Sequence, residues 1–295
     1  MSQPSSAMGM LLVDKPAGVT SHDVVAVVRR ALRVKKAGHA GTLDPFATGL
    51  LVLGIGRATR LLEYLSGLDK GYEATARLGI ATDSQDPEGA VIAEDDRWRE
   101  LTADRIRMIA GGMVGSLRQS PPVYSAVKVG GVPAHRRVRR GESVELPRRD
   151  VTINALQVVG VELPEVRFRV ECSSGTYVRS LGVELGERLG TACHLTALRR
   201  TRVGDFHVRD AVGLEGVRGG GIPDRARVGA VSALAHLPRV VVEPGEAAML
   251  ATGKKVPNGT PDCGVAVFAL PGDRLVAVGA VLDGVLVPRK VFHRA

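Results

Sequence analysis

The chain is poor in aromatic residues: four Tyr, five Phe and one Trp make up only 3% of its 295 residues. Aliphatic side chains must therefore build the core, and a hydrophobic content of 44% is enough for that. Cysteine is also sparse. Cys172, Cys193 and Cys263 are odd in number, widely spaced and form no C-x-x-C, which excludes a disulfide framework or a zinc site of that type and fits buried, reduced thiols. No apolar run reaches the roughly 20 residues of a transmembrane helix. Residues 1–9 lack the basic and apolar regions of a secretory signal and read as a short disordered tail. A cytoplasmic protein is the expectation. Acidic residues are in deficit as well: 31 Asp and Glu face 40 Lys and Arg, a formal charge of +9. That excess favours a polyanionic partner, of which nucleic acid is the commonest.

The spacing of apolar residues predicts a mixed chain of strands and helices. Met10 to Val13 reads as a strand running into the turn at Asp14-Lys15-Pro16. Thr20 and Asp23 have the spacing of a helix-capping pair, and Val24, Val27, Val28, Ala31 and Leu32 share one helical face. Leu50 to Gly54, Tyr72 to Leu78, Val151 to Val161 and Val166 to Cys172 read as strands. Ile106, Ile109, Ala110, Met113 and Val114 mark a helix. Another carries Val178, Leu181, Leu185 and Leu189, with Gly190 at its C-cap. Beyond Arg209 the chain turns glycine-rich, notably at Gly219-Gly220-Gly221, and reads as a linker. Valine-rich strands between Pro and Gly turns then predict a small β domain. The expected domains are 10–230 and 231–295.

One stretch has neither periodicity. Gly38-His39-Ala40-Gly41-Thr42-Leu43-Asp44-Pro45-Phe46-Ala47-Thr48-Gly49 packs glycines, a proline and one carboxylate into a loop, and the apolar run Leu50-Leu51-Val52-Leu53 anchors it. Proline keeps the preceding Asp44 out of the helical region. A carboxylate fixed on a braced loop is a way to display a nucleophile or a base. By contrast, Gly54-Ile55-Gly56 lacks the third glycine of a dinucleotide fingerprint, and no β-α-β alternation surrounds it. Residues 120–150 carry Arg136, Arg137, Arg139, Arg140, Arg148 and Arg149 with few apolar neighbours, and read as an exposed, thumb-like basic segment.

The loop resembles the signature G-H-x-G-T-L-D-P-x-A-T-G-x-L of the TruB family of tRNA pseudouridine synthases. Other segments, in the right order, resemble further motifs of that family. These are Lys70-Gly71-Tyr72, Pro121-Pro122-Val123-Tyr124-Ser125-Ala126-Val127-Lys128, Cys172-Ser173-Ser174-Gly175-Thr176-Tyr177-Val178-Arg179 and Leu198-Arg199-Arg200-Thr201. The resemblance implies an α+β pseudouridine synthase fold, a mixed and largely antiparallel sheet with flanking helices, followed by a PUA-like RNA-binding domain. It implies Asp44 as the catalytic carboxylate and Arg179 as its partner, a guanidinium that would lower the carboxyl pKa. Tyr72 and Tyr177 would sit at the flipped base. His39, Leu198, Lys15, Arg136, Arg137, Arg139 and Arg140 would contact substrate or RNA. The implied reaction isomerises uridine 55 in the T loop of tRNA, without cofactor or metal and with no obligate protein partner, by a monomer. A tRNA-folding role alongside catalysis, or in its place, is the competing reading, and the intact Asp44 argues against the latter.

Overall fold

Thr20 and Asp23 cap the first helix as their spacing predicts. The Thr20 hydroxyl accepts from the Asp23 amide at 3.1 Å, and the Asp23 carboxylate accepts from the Thr20 amide at 2.8 Å. The structure is a computed structural model that describes residues 9–124, 128–129, 132–133 and 146–292. Residues 1–8 of the expected tail, and Arg136, Arg137, Arg139 and Arg140 of the expected thumb, lie outside the described residues, while Gly9 opens the first strand and is not part of a tail.

In chain order the strands are β1 (Gly9–Lys15), β2 (Ala37–His39), β3 (Thr48–Ile55), β4 (Lys70–Leu78), β5 (Ile80–Thr82), β6 (Val91–Glu94), β7 (Gly115–Gln119), β8 (Lys128–Val129), β9 (Val132–Pro133) and β10 (Arg149–Glu162). There follow β11 (Glu165–Cys172), β12 (Cys193–Val203), β13 (Phe206–His207), β14 (Val212–Gly213), β15 (Arg227–Gly229), β16 (Arg239–Val241), β17 (Val256–Pro257), β18 (Cys263–Leu270), β19 (Arg274–Leu282) and β20 (Val285–Val291). The α-helices are α1 (Ser21–Ala31), α2 (Leu62–Ser66), α3 (Ala103–Gly111), α4 (Val178–Leu189), α5 (Leu214–Arg218) and α6 (Pro244–Ala251).

The main sheet runs β14-β1-β3-β12-β4-β11-β10-β7, with β2, β13 and β15 paired beside it. β3 lies parallel to β12 and β1 parallel to β14, while the other neighbours are antiparallel. This is the mixed, largely antiparallel α+β sheet expected. Its centre explains the unbroken apolar run at residues 50–53. Leu51 and Leu53 pack with Leu11, Val13 and the α1 residues Val24 and Val28 on one face. Leu50 and Val52 pack with Met10, Leu12, Leu61 and Leu65 on the other. A strand covered on both faces has no polar side to alternate with.

Two expectations change. The glycine-rich stretch after Arg209 is not a linker. Val212–Gly213 runs parallel to β1 and Arg227–Gly229 antiparallel to it, so this stretch completes the main sheet. Strands of two or three residues are too short to show a period. Helix α3 also ends at Gly111, earlier than its apolar pattern suggests; Met113 is buried from the following turn and Val114 is exposed.

The second sheet, β16-β18-β19-β20-β17, forms the β-rich C-terminal unit, with α6 packed on it. Pro244 starts α6 at the first helical position, where a missing N–H costs nothing. Val267, Leu275, Val278 and Phe292 join the same apolar cluster as Met10, Leu50 and Leu65, so this sheet is seated on the main one. Arg57 donates to the Phe292 carbonyl at 2.9 Å, Arg60 to the Val291 carbonyl at 2.8 Å, and Lys290 pairs with Glu63.

The β3–β12 crossing depends on Gly49. Its φ is +103°, and a Cβ there would lie 2.3 Å from the Arg200 carbonyl oxygen and 2.7 Å from its amide nitrogen. Gly56 also has positive φ, +59°, but faces open space. Gly49→Ala is therefore expected to destabilise by about 2–4 kcal/mol, from backbone strain plus steric overlap. Gly56→Ala should cost about 1–2 kcal/mol, from strain alone. Chemical denaturation of the two variants checks the order.

Candidate active site

The Asp44 loop is held in place by cations whose donors end on backbone carbonyls. Lys15, at the end of β1, is fully buried, and its ammonium donates to the carbonyls of Pro16 at 2.9 Å, Val19 at 2.7 Å and Pro45 at 3.1 Å. Arg200, on β12, is 2% exposed and donates to the carbonyls of Leu50 at 2.8 Å, Gly41 at 3.1 Å and Thr42 at 3.3 Å. The Ser21 hydroxyl, at the start of α1, accepts from the Leu43 amide at 2.9 Å and donates to the Leu43 carbonyl at 3.1 Å. A loop with few regular hydrogen bonds of its own thus has its carbonyls satisfied from three elements, as buried backbone requires.

Asp44 faces Arg179, the second residue of α4. Arg179 Nη2 donates to Asp44 Oδ1 at 3.2 Å, and Nε lies 3.0 Å from Oδ2 in an ionic contact too bent to count as a hydrogen bond. The same guanidinium reaches a second carboxylate: Nη1 lies 3.1 Å from Asp86 Oδ2 and 2.6 Å from the Ser84 carbonyl, while Nη2 donates to the Tyr124 carbonyl at 2.9 Å. Arg179 and Asp86 are buried, whereas the Asp44 side chain keeps 34% of its surface open. Asp86 is itself held by Ser84 Oγ and, at 3.1 Å, by the Glu88 amide.

This geometry refines the expected electrostatics. Burial pushes the Asp44 carboxyl above its ordinary pKa, Arg179 pulls against that, and the like charge on Asp86 pushes with it; the net direction is upward. Arg179 lowers the value as expected, but does not cancel the cost of burial.

Above the pair lies a cleft of about 270 Å³. Leu43, Asp44, Lys70, Tyr72, Tyr177, Arg179, Leu198 and Arg200 are among its walls. The structure therefore brings together Asp44, Tyr72, Tyr177, Arg179 and Leu198 of the residues expected from the sequence. Tyr72 is buried on β4, which raises its phenol pKa, with Arg200 acting in the opposite sense. Lys70 sits 7% exposed and donates to the Ser66 carbonyl at 2.9 Å and to the Leu68 carbonyl; burial lowers its pKa to about 8.

Lys15 and His39 do not join them. The sequence places Lys15 at the RNA, but its ammonium is enclosed and spent on carbonyls, so it braces the loop; burial lowers its pKa to about 8. His39 lies outside the cleft walls, edge-on to His22 with ring centroids 5.7 Å apart, and its Nδ1 has no hydrogen-bond partner. Burial and the neighbouring His22 lower its pKa.

Asp86 and Arg200 are site residues that the sequence reading misses, although signals exist. The chain has two Asp-Pro dipeptides, at 44–45 and 86–87, and both present a carboxylate to Arg179. On a strand, Leu198 and Arg200 must share a face while Arg199 points away. Arg199 indeed pairs with Asp14, at 2.7 and 3.1 Å. Among the described residues no cluster of His, Cys, Asp or Glu could hold a metal ion, and no helix is long and apolar enough to cross a membrane.

Solved structures share this architecture. The archaeal box H/ACA sRNP Nop10–Cbf5 complex contains a chain 26% identical, with a TM-score of 0.74, covering 98% of this chain and 87% of its own. A chain in an H/ACA RNP bound to a substrate RNA containing 2′-deoxyuridine is 25% identical, with a TM-score of 0.72 and coverage of 99% and 92%. By sequence, residues 29–178 match the TruB family pseudouridylate synthase N-terminal domain, and residues 179–250 the tRNA pseudouridylate synthase B C-terminal domain. The protein called tRNA pseudouridine synthase B in Aromatoleum aromaticum is 46% identical over 250 residues, covering 83% of this chain and 80% of that one. Its namesake in Mycolicibacterium paratuberculosis is 50% identical over 214 residues, 71% of this chain and 73% of that one. The fold is that of a pseudouridine synthase. The chain belongs to the TruB family of pseudouridylate synthases.

The shared arginine makes a signed prediction. If the ionised form of Asp44 is the active one, the rate falls with acid at a pH above the ordinary carboxylate value of about 4. Removing the attractive charge with Arg179→Met should move this acid limb up. Removing the repulsive one with Asp86→Asn should move it down, although the loosened Arg179 lowers the plateau. Single-turnover rates on a uridine-containing RNA, measured across pH, report both signs.

Proposed function

We propose that this protein converts uridine 55 in the T loop of tRNA to pseudouridine, with Asp44 as the catalytic carboxylate. The observation that carries the reading is the Asp44–Arg179 pair at the floor of a cleft walled by Tyr72, Tyr177 and Leu198. Asp44 keeps an open face toward the cleft while Arg179 behind it is enclosed. A carboxylate held in this way can act on the sugar or base of a nucleotide entering from above, and the cleft is small enough to suit one nucleoside rather than an extended cofactor.

The chemistry is an isomerisation. The N1–C1′ bond of uridine breaks, the uracil turns, and C5 bonds to C1′. The proton displaced from C5 leaves and N1 regains one, so atoms and electrons balance within the same nucleotide and no oxidant or reductant is consumed. Asp44 serves as nucleophile or as base, and both roles need its ionised form. Tyr72 offers a buried ring against the base, Tyr177 a second beside it, and Leu198 an apolar wall. The target base must leave its stack, at a cost of about a few kcal/mol. The formal charge of +9, and Arg136, Arg137, Arg139 and Arg140 in particular, supply phosphate contacts that offset it. The relatives named tRNA pseudouridine synthase B support tRNA as the substrate. On this reading the protein acts in the cytoplasm as a monomer, and needs no external cofactor.

Incubation with an unmodified T stem-loop RNA, followed by mapping of pseudouridine, should show one modified site at the T-loop uridine. Asp44→Asn should abolish product while leaving thermal stability and RNA affinity close to wild type; turnover near the wild-type rate would remove Asp44 from its role. Charge reversal at Arg136, Arg137, Arg139 and Arg140 should weaken RNA binding and reduce the log–log salt slope by roughly 0.7–0.9 per lost phosphate contact. An unchanged slope would make this run a solvated surface.

A further inference from the structure

Tyr177 stands at the entry to α4, where its carbonyl accepts from the Leu181 amide at 3.0 Å while its own amide has no partner within the helix. It precedes α4 as the N-cap residue but contributes no side-chain cap, and it follows Gly175, whose φ is +84°. A second hold comes from the β7–β10 ladder. Gln119, the last residue of β7, is 4% exposed, and its carboxamide grips both backbone polar atoms of Tyr177: Oε1 accepts from the Tyr177 amide at 2.8 Å and Nε2 donates to the Tyr177 carbonyl at 3.0 Å. Because an amide N–H only donates and a carbonyl only accepts, this arrangement fixes the orientation of the side-chain amide. Directly across the ladder from Gln119 is Arg149. Its guanidinium lies 5.5 Å from the centroid of the Tyr177 ring, within cation–π range. One strand pair therefore holds the backbone of Tyr177 and the other end of the same residue, its ring. A nearby contact repeats the joint, Ser180 Oγ donating to the Ser120 carbonyl at 2.9 Å.

We propose that Gln119 and Arg149 are positioning residues that clamp Tyr177 against the base-binding cleft, and that Arg149 serves the cleft in this way rather than as one more phosphate contact of the basic segment. The proposal rests on the reading of Tyr177 as a base-facing residue. Glutamine suits the position because it carries a donor and an acceptor at equal reach. Glutamate would set an acceptor against the Tyr177 carbonyl, and methionine would fill the space with neither.

The test uses the full-length protein and an unmodified T stem-loop RNA. Gln119→Met, which removes the acceptor, should speed hydrogen exchange at the Tyr177 amide, and both Gln119→Met and Gln119→Glu should lower the single-turnover rate about 10-fold, as expected for one buried hydrogen bond lost with its partner left unpaired. RNA affinity should stay within about twofold, since the clamp touches no RNA in this proposal. Arg149→Lys keeps the charge but loses the flat guanidinium, and should lower the rate in the same way without changing the salt slope of binding. A wild-type rate in Arg149→Lys, with a slope reduced only in Arg149→Met, would make Arg149 a phosphate contact and overturn its part. Wild-type exchange at the Tyr177 amide in Gln119→Met would overturn the clamp. Tyr177→Ala separates the two levels: if it turns over normally while the exchange effect persists, the clamp exists but the base-facing reading, and with it the positioning role, is lost.

Discussion

Arg179 is the constraint on which the rest of the site depends. A buried guanidinium is tolerable only when its donors are satisfied and its charge is met. Here it meets two carboxylates and two carbonyls drawn from separate segments of chain. The Asp44 loop, the Ser84–Asp86 turn and the bend at Tyr124 all converge on one side chain, which α4 holds in place. Two negative charges near one positive charge leave Asp44 poised between attraction and repulsion. That balance, together with burial, sets the carboxyl above its ordinary range while keeping it ionisable.

The surrounding cations do a different job. Lys15, Lys70 and Arg200 are enclosed, and their hydrogen bonds end on main-chain oxygens rather than on acidic side chains. Each therefore fixes backbone. A loop that has to be irregular, in order to present Asp44, borrows its order from Lys15 and Arg200. The positive charge these residues bring is not neutralised by hydrogen-bonded acidic partners, so it adds to the positive potential around the cleft.

Much of this was legible in the residues. The Thr20–Asp23 cap, the left-handed Gly190 that ends α4, and the double-faced burial of residues 50–53 all follow from local rules, and the structure obeys them. Asp44 and Arg179 were legible because a recognisable string surrounds each. Other features were hidden for physical reasons. The two- and three-residue strands at 212–213 and 227–229 exist because β1 offers them an edge, not because their own side chains alternate. Asp86 lies in a turn where an Asp-Pro dipeptide has an ordinary local explanation. Its role appears only when α4, far away in the chain, places Arg179 beside it. Lys15 is hidden for a related reason: nothing in its local sequence reveals enclosure, and only the fold shows its ammonium committed to three carbonyls.

The pairing of β1 with β14 and β15 has a consequence for how the chain reaches its native state. A strand at residues 9–15 finds neighbours some two hundred positions later, and Gly49 docks on Arg200, about 150 positions on. Closing such long loops must precede the contacts that reward it, so the topology favours late, slow assembly. On the ribosome the first strand emerges long before its last partners do. Until residues near 229 are available, that edge of the sheet stays open, and until β12 emerges the Asp44 loop lacks the strand that carries Arg200. The nascent protein is thus without the Asp44–Arg179–Arg200 cluster for most of its synthesis, and the apolar strand at residues 50–53 must be shielded through that interval by whatever has already folded around it.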